Sequence, residues 1–520
     1  MKPLRPIIAA LLVLAACPSL ALASRTQEST FQDDPMLLGG AEEMTSTLDQ
    51  LQAFGVDRIR VSVFWRVIAP ANDRVRKPSF DATDPAQYPA EHWVKHDRLI
   101  QAALARGILV NLNITSPVPR WAAGEAPRAD IQETFGPNAE EFGKFVQAVG
   151  TRYSGTYNGL PRVDYWSIWN EPNQAGWLTP QWAPDPRNPK KFVEAAPASY
   201  RALVASAWQA LADSGHGTDT ILVGETAPQG EKNDKDLTQS LDALKFIRRL
   251  YCLDRNLNIL KGSEAQVRNC PGSGATFVNQ NPGLFRATGY AHHPYALLTP
   301  PGLRSEQADW VSMSDLGKLS SELARIYRRY GQRMQSKRGV PLYLTEFGYQ
   351  TKPDPLGVSY DRQAAWINEA EYIAFANPNV RAMNQFLLVD DAPVADETAG
   401  NAKWRTFQSG LQLLAGPRKR SYKAYMTPIH VKSARVRRGR STTVFGMTRP
   451  AAPTASVRVQ VQFRTSGAKR WTTRKRIIAK GPRHYFQTRL PVTRSGHVRV
   501  LWSHRGRAVA SRPVLVTATR

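Results

Sequence analysis

Two glutamates stand at the points where β-rich runs stop, and their surroundings suggest shared chemistry. Trp166-Ser167-Ile168-Trp169-Asn170-Glu171-Pro172-Asn173 ends on a carboxylate followed by proline, which cannot continue ladder pairing. Leu342-Tyr343-Leu344-Thr345 ends on Glu346, with Phe347-Gly348 following. Two carboxyls converging on one site can supply a proton to a departing oxygen and electron density to an oxocarbenium-like centre. A separation of about 5–5.5 Å suits retention at that centre, and ~6.5–9.5 Å suits inversion. A lone strand-end carboxylate is ordinarily solvated or salt-bridged, and Glu225, Asp390 and Asp391 are read that way. No metal or organic cofactor is required, and no cluster with zinc-ligand spacing is present in the sequence.

The elements that must position this pair follow from periodicity. β-rich runs ending near Gly39, Val63, Asn113, Trp169, Gly224, His292, Thr345 and Leu388 alternate with segments of helical period at Glu42 to Phe54, His92 to Ala105, Ala139 to Tyr153, Pro197 to Asp213, Asp315 to Gln335 and Asp361 to Ala376. Eight strands, each leading into a helix, predict a closed (β/α)8 barrel, whose functional groups gather at the carboxyl ends of the strands. An open doubly wound sheet would want a glycine-rich phosphate turn after an early strand, and none occurs.

The WNEPN and LTEFG runs together resemble the acid/base and nucleophile strands of the retaining (β/α)8 glycosidases, which include the family-five cellulases and mannanases and the family-thirty-nine β-xylosidases. The resemblance covers roughly residues 36 to 427. It implies that Glu171, on the fourth strand, is the general acid/base and that Glu346, on the seventh, is the nucleophile. Arg60, in Arg58-Ile59-Arg60-Val61-Ser62-Val63-Phe64-Trp65, matches an arginine beside the nucleophile, and Asn170 matches the contact to the sugar 2-hydroxyl. His293 and Tyr295, in His292-His293-Pro294-Tyr295, match a sixth-strand pair, with one of the two adjacent histidines structural because alternation turns neighbours to opposite faces. Arg60 and Tyr295 are expected to favour ionised Glu346, while partial desolvation keeps Glu171 protonated. The third-strand run Asn113-Ile114-Thr115-Ser116-Pro117 leading to Trp121 is more similar to family thirty-nine than to family five.

Tryptophan is more often core than ligand contact. Even so, Trp65, Trp121, Trp169, Trp177 and Trp182 fall at or after strand ends, and Trp65, Trp121 and Trp177 are taken as candidate sugar platforms. The eighth strand departs from the resembled pattern, with Phe386-Leu387-Leu388-Val389-Asp390-Asp391 where a stacking tryptophan is expected, so Trp404 from the next loop is the candidate replacement. The implied partner is a carbohydrate. The implied activity is hydrolysis of β-linked O-glycosidic bonds, with transglycosylation by the same glutamates, or glycan binding on an inactive scaffold, as alternatives.

The remaining sequence bounds the setting. Lys2 and Arg5 precede the apolar run Ile7 to Ala16 and a small-residue site at Ala21-Leu22-Ala23, the pattern of an export signal over residues 1–23. Leu14-Ala15-Ala16-Cys17 also resembles a lipobox, so the alternatives are secretion and lipid anchoring through Cys17. No later apolar run reaches the ~20 residues of a membrane span. Cys252 and Cys270 remain as a possible disulfide. The net charge of +26 is uneven: Pro428 to Arg520 holds 22 Lys and Arg and no acidic residue, which leaves 47 basic against 43 acidic side chains in residues 1–427. Alternating runs such as Val457 to Phe463 and His497 to Trp502 predict short antiparallel strands and an immunoglobulin-like β-sandwich over 428–520, following a catalytic domain over 24–427. That basic domain suits an anionic cell-wall polymer or envelope surface, or is simply a solvated basic face; no nucleic-acid module is recognisable in it.

Overall fold

The structure, a computed structural model, describes residue 24 and residues 26–231, 236–395, 397, 400–449 and 456–520. Residues 1–23, the segment read as an export signal and containing Cys17, lie outside the described residues. Eight parallel strands close into a barrel: β1 (Glu28–Gln32), β2 (Arg58–Phe64), β3 (Leu109–Thr115), β4 (Tyr165–Ile168), β5 (Thr220–Thr226), β6 (Gly289–His292), β7 (Leu342–Leu344) and β8 (Val380–Phe386). The ring closes where β1 pairs with β8, Glu28 opposite Ala382 through Gln32 opposite Phe386.

Seven strands fall where the sequence predicts them. The first does not: it lies at Glu28–Gln32, upstream of the expected Gly39. The apolar run Met36-Leu37-Leu38 enters a short helix, Asp34–Leu37, because the Asp33 side chain accepts from the Met36 N–H and Pro35 sits in its first turn. β1 itself carries Ser29, Thr30 and Gln32, too polar to read as a core strand; Thr30 and Gln32 are buried on the polar barrel interior, and Ser29 is buried on the opposite face toward the helix Tyr360–Ala376.

Helices α1 (Ala41–Phe54), α2 (Ala90–Ala105), α3 (Ala139–Arg152), α4 (Ala196–Asp213), α5 (Ala243–Leu250), α6 (Leu316–Arg329) and α7 (Tyr360–Ala376) surround the ring. Their limits have local causes. In α3 the Asn138 side-chain Oδ1 accepts from the N–H groups of Glu140 and Glu141, and Phe142, Phe145, Val146 and Val149 form a buried stripe at helical spacing. Cys252 and Cys270 are joined in a disulfide after α5. Among the described residues no helix is long and apolar enough to cross a membrane.

Among the described residues nine short strands follow: β9 (Ile429–Val431), β10 (Arg435–Arg437), β11 (Ser441–Met447), β12 (Val457–Thr465), β13 (Thr472–Ala479), β14 (Tyr485–Pro491), β15 (Gly496–His504), β16 (Arg507–Ala510) and β17 (Val514–Thr519). They form a three-stranded sheet, β9-β11-β14, and a six-stranded sheet, β10-β17-β15-β12-β13 with β16 on β15. Inward Val459, Val461, Phe463, Val498, Val500 and Trp502 meet Val444, Phe486 and Leu490 of the other sheet. The pairing is antiparallel except for β10 with β17, which run parallel.

The three-stranded sheet turns its outer face to the barrel. Phe445 and Tyr485 pack on Phe375 of α7, with ring centroids 4.9 and 5.1 Å away. Arg449 reaches across to Glu371 of α7 and to the Tyr425 carbonyl, while Arg483 pairs with Asp57 at 2.8 Å. Asp57 and Glu28 mark the amino ends of β2 and β1, so the sandwich is docked away from the mouth. Both Arg449 and Glu371 are buried, at 3% and 6% exposure, so removing one partner strands the other charge. Arg449→Ala is expected to lose about 3–5 kcal/mol of stability in urea denaturation. A loss below about 1 kcal/mol, the range of an exposed pair, would show that this contact does not hold the two parts together.

Candidate active site

Arg60, 1% exposed, is the hub of the barrel mouth. Its Nη1 donates to Gln32 Oε1 at 2.6 Å and to Glu346 Oε1 at 2.8 Å; its Nη2 donates to Asn170 Oδ1 at 2.7 Å and to Glu225 Oε2 at 3.1 Å. Asn113, with its amide nitrogen donating to the Trp169 carbonyl, presents its oxygen 3.0 Å from the same Nη2. One guanidinium therefore ties together the ends of β1, β2, β3, β5 and the turns after β4 and β7.

Six of the predicted site residues meet here. His293 Nδ1 lies 2.9 Å from Glu171 Oε1 and 3.5 Å from Glu346 Oε2, and its Nε2 lies 2.8 Å from Glu225 Oε2. Tyr295 donates its hydroxyl to Glu346 Oε2 at 3.0 Å. One carboxylate oxygen of Glu171 and one of Glu346 are within 4.8 Å of each other. His292 serves structure: its ring bonds Thr226 Oγ1 and the Val311 carbonyl, and burial holds it down at about 4, neutral.

Glu225, read from sequence as an ordinary strand-end carboxylate, is fully buried in the centre of this cluster. It accepts from Arg60, His293 and Thr345 Oγ1, the last at 2.6 Å. The signal that could have found it is the same one that marks Glu171 and Glu346, an acidic residue closing a barrel strand. Gly224 before it has φ 110°, and a Cβ there would stand 2.6 Å from the Tyr290 ring. Trp169, Glu171 and Glu225 also have positive φ, at 68°, 35° and 46°. Such backbone costs about 1–3 kcal/mol per residue and persists where surrounding bonds impose it.

Burial opposes ionisation of Glu225, but the charges and hydrogen bonds of Arg60 and His293 outweigh it and hold the carboxyl down at about 2. Burial likewise disfavours charged His293, yet Glu346 and the bonds to Glu171 and Glu225 push it up to about 9. Glu346 departs from expectation. Arg60 and Tyr295 reach it, but burial, reinforced by the charges of Glu171 and Glu225, holds its carboxyl above the ordinary range against the pull of His293 and Arg60. Burial, with Glu346 and Glu171 beside it, keeps the Tyr295 phenol protonated as a donor. Glu171, His293 and Glu346 are spaced closely enough to hold a metal ion. A protonated imidazole has no lone pair to offer, however, and Arg60 already occupies Glu346 Oε1.

Two cavities of about 570 and 460 Å3 adjoin at the pair. Both are lined by Glu171, Tyr295, Phe386 and Phe407; the first also by Asn170, Trp177 and Glu346, the second by Gln174, Gln350 and Leu356. Of the candidate aromatic platforms only Trp177 lines this space. Trp65 opens a short helix after β2, which carries its ring into the helix layer, fully buried and stacked on Phe145. Trp121 donates to the Pro70 carbonyl and packs on Trp65 and Phe80 outside both cavities. Trp404 lines neither cavity; it stays beside Lys403, and the loop presents Phe407 three residues later, edge-on to Phe386.

A closed (β/α)8 barrel with paired carboxyls between two adjoining cavities at its mouth has the architecture of a glycoside hydrolase. The model of the family described as Cellulase (glycosyl hydrolase family 5) matches residues 23–381, and the chain belongs to that family. No curated protein matches the chain. Similar solved structures include GH5_18 from Streptomyces cattleya in complex with GlcNAc (14% identity over 78% of this chain and 79% of that one, TM-score 0.46). Also similar are the endo-β-1,4-mannanase from Thermotoga petrophila (11%, 96% and 100%, 0.40) and a β-glucosidase from Exiguobacterium marinum (14%, 73% and 84%, 0.40).

The geometry makes Glu225 a control on protonation that touches neither cavity. Its charge helps keep His293 protonated, a state fully present below the ordinary imidazole value and lost as pH rises through about 9. Glu225→Gln is expected to move the alkaline limb of kcat/KM to lower pH, with Glu225→Asp restoring part of the shift; NMR titration of His293 reads the same change directly. An unmoved profile and an unmoved imidazole would show that Glu225 only fills space.

Proposed function

We propose that this glycoside hydrolase cleaves O-glycosidic bonds of a β-linked glycan or glycoside with net retention. Glu346 attacks the anomeric carbon while Glu171 protonates the departing oxygen; Glu171 then takes a proton from the water that releases the sugar. The observation that supports this reading is the approach of one oxygen of Glu171 to one of Glu346 within 4.8 Å, with His293 Nδ1 beside both, the closeness expected of a retaining pair.

Charge balance supports the division of roles. Three carboxyls, Glu171, Glu225 and Glu346, share two cations, Arg60 and His293. Glu225 is ionised at about 2, so a neutral cluster keeps one proton on the pair formed by Glu171 and Glu346. Glu346 has the cationic Arg60 at 2.8 Å, while Glu171 faces both cavities and is the better placed to pass a proton to a leaving group. Asn170, with its oxygen committed to Arg60, has its amide N–H groups for a sugar hydroxyl, a contact that strengthens as charge develops in the transition state. Cavities on both sides of Glu171 suit a substrate with sugar on each side of the scissile bond. The leader sequence and the Cys252–Cys270 disulfide support export to an oxidising compartment.

Glu346→Ala is expected to abolish glycosyl-enzyme formation on every substrate. Glu171→Ala should slow alkyl glycosides by ~10²–10⁴-fold while sparing aryl glycosides whose phenolate leaves without help. Product anomers followed by NMR should show the β form first; an initial α anomer would sink the retaining reading. Because the Glu346 carboxyl is held above its ordinary 4.5, activity should fall as pH drops through a value above that figure, the nucleophile being lost by protonation. An acid limb at or below 4.5 would contradict the role given to that burial.

A further inference from the structure

Two groups of cations in the C-terminal sandwich contrast. Arg449 and Arg483, on the side that meets the barrel, have carboxylate partners there. The outer face of the six-stranded sheet has none. Among the described residues no acidic group lies within ion-pair distance of Arg458, Arg464, Arg476 or Arg499, and the domain contains no Asp or Glu of its own.

These arginines are ordered. β12 sends Arg458, Gln460, Gln462 and Arg464 outward while Val459, Val461 and Phe463 point into the core, a row on the order of 20 Å long at the rise of an extended strand. On the neighbouring strands Arg476 stands opposite Gln460 and Arg499 opposite Gln462. Thr473 Oγ1 and Gln462 Nε2 both donate to Gln460 Oε1, at 2.8 and 3.2 Å, and Arg499 Nε donates to Gln462 Oε1 at 2.8 Å. The guanidiniums of Arg499 and Arg464 lie 4.3 and 4.9 Å from the Trp471 ring centroid. An indole and a glutamine ladder thus hold two like charges near one another. Burial, with Arg464 alongside, lowers the hold of Arg499 on its proton, the mark of a cation without a counter-ion.

We infer that this outer face is a docking platform for a carboxylate-bearing polysaccharide. Preorganised guanidinium forks match carboxylates in two-point contacts, and the side-chain amides and hydroxyl between them suit the sugar hydroxyls that separate acidic groups along such a chain. A membrane surface would instead favour an apolar face laid into the lipid. The platform is carried by the face of the six-stranded sheet turned away from the three-stranded sheet that packs on the barrel. It therefore retains the enzyme on a polymer without shaping the cleft, and it stands whether or not the retaining mechanism does.

The test uses the full chain in affinity electrophoresis against polygalacturonate, neutral mannan, duplex DNA and phosphatidylserine vesicles at several salt concentrations. Salt-sensitive retention by polygalacturonate and none by mannan is expected. The double variant Arg464→Gln/Arg499→Gln should weaken that retention at least tenfold, and Trp471→Ala should do likewise with no change in net charge. Turnover of a small soluble aryl glycoside should stay at the parent level in all of them. Undiminished retention of either variant would overturn the platform, and so would tighter binding of the parent to duplex DNA or to vesicles than to polygalacturonate.

Discussion

The buried contact of Arg60 and His293 with Glu225 is the constraint around which the mouth of this barrel is organised. Water is excluded from all three groups, so none of the charges is tolerable unless the others stand within hydrogen-bonding distance. That mutual requirement fixes the ends of β2, β5 and β6 relative to one another. The same guanidinium and imidazole then project their remaining donors at Glu346 and Glu171. Left-handed backbone at Glu171 and Glu225 is the local cost of aiming these side chains into the site, and the bonds they make hold it in place.

The protonation of the site is a property of this ensemble. Isolated, Glu225, Glu346 and Glu171 would be three similar carboxyls. Here Glu225 receives two cations and is strongly acidic, whereas Glu346 sits deep enough that one cation and a shared imidazole do not cancel the desolvation. Different surroundings thus push two chemically alike groups apart in their hold on a proton.

The two parts of the chain solve different electrostatic problems. The barrel gathers opposite charges where water is absent. The sandwich carries one sign only, meets Glu371 and Asp57 at the interface, and leaves Arg458, Arg464, Arg476 and Arg499 on the outer face of the opposite sheet with no acidic partner among the described residues. Since the interface lies at the amino ends of the first two strands, the basic face and the catalytic mouth are held apart.

Much of this was legible in the residues. Helical stripes such as Phe142, Phe145, Val146 and Val149, and the proline directly after Glu171, report local backbone preference and one-sided burial, which are encoded over a few residues. The eight-fold alternation, the position of Glu171 and Glu346, the sandwich and the cysteine pair could be read for that reason. β1 was misplaced because its inward side chains are polar, and their burial depends on partners on β2, β8 and beyond. The sequence by itself determined the element order and the chemistry available at the strand ends. Only the tertiary structure decided that Glu225 lies at the centre, that Trp65 belongs to the core while Phe386 and Phe407 line the cavities, and that Glu346 is held protonated to higher pH. Each of these depends on distances between residues remote in the chain, and on how much water is left between them.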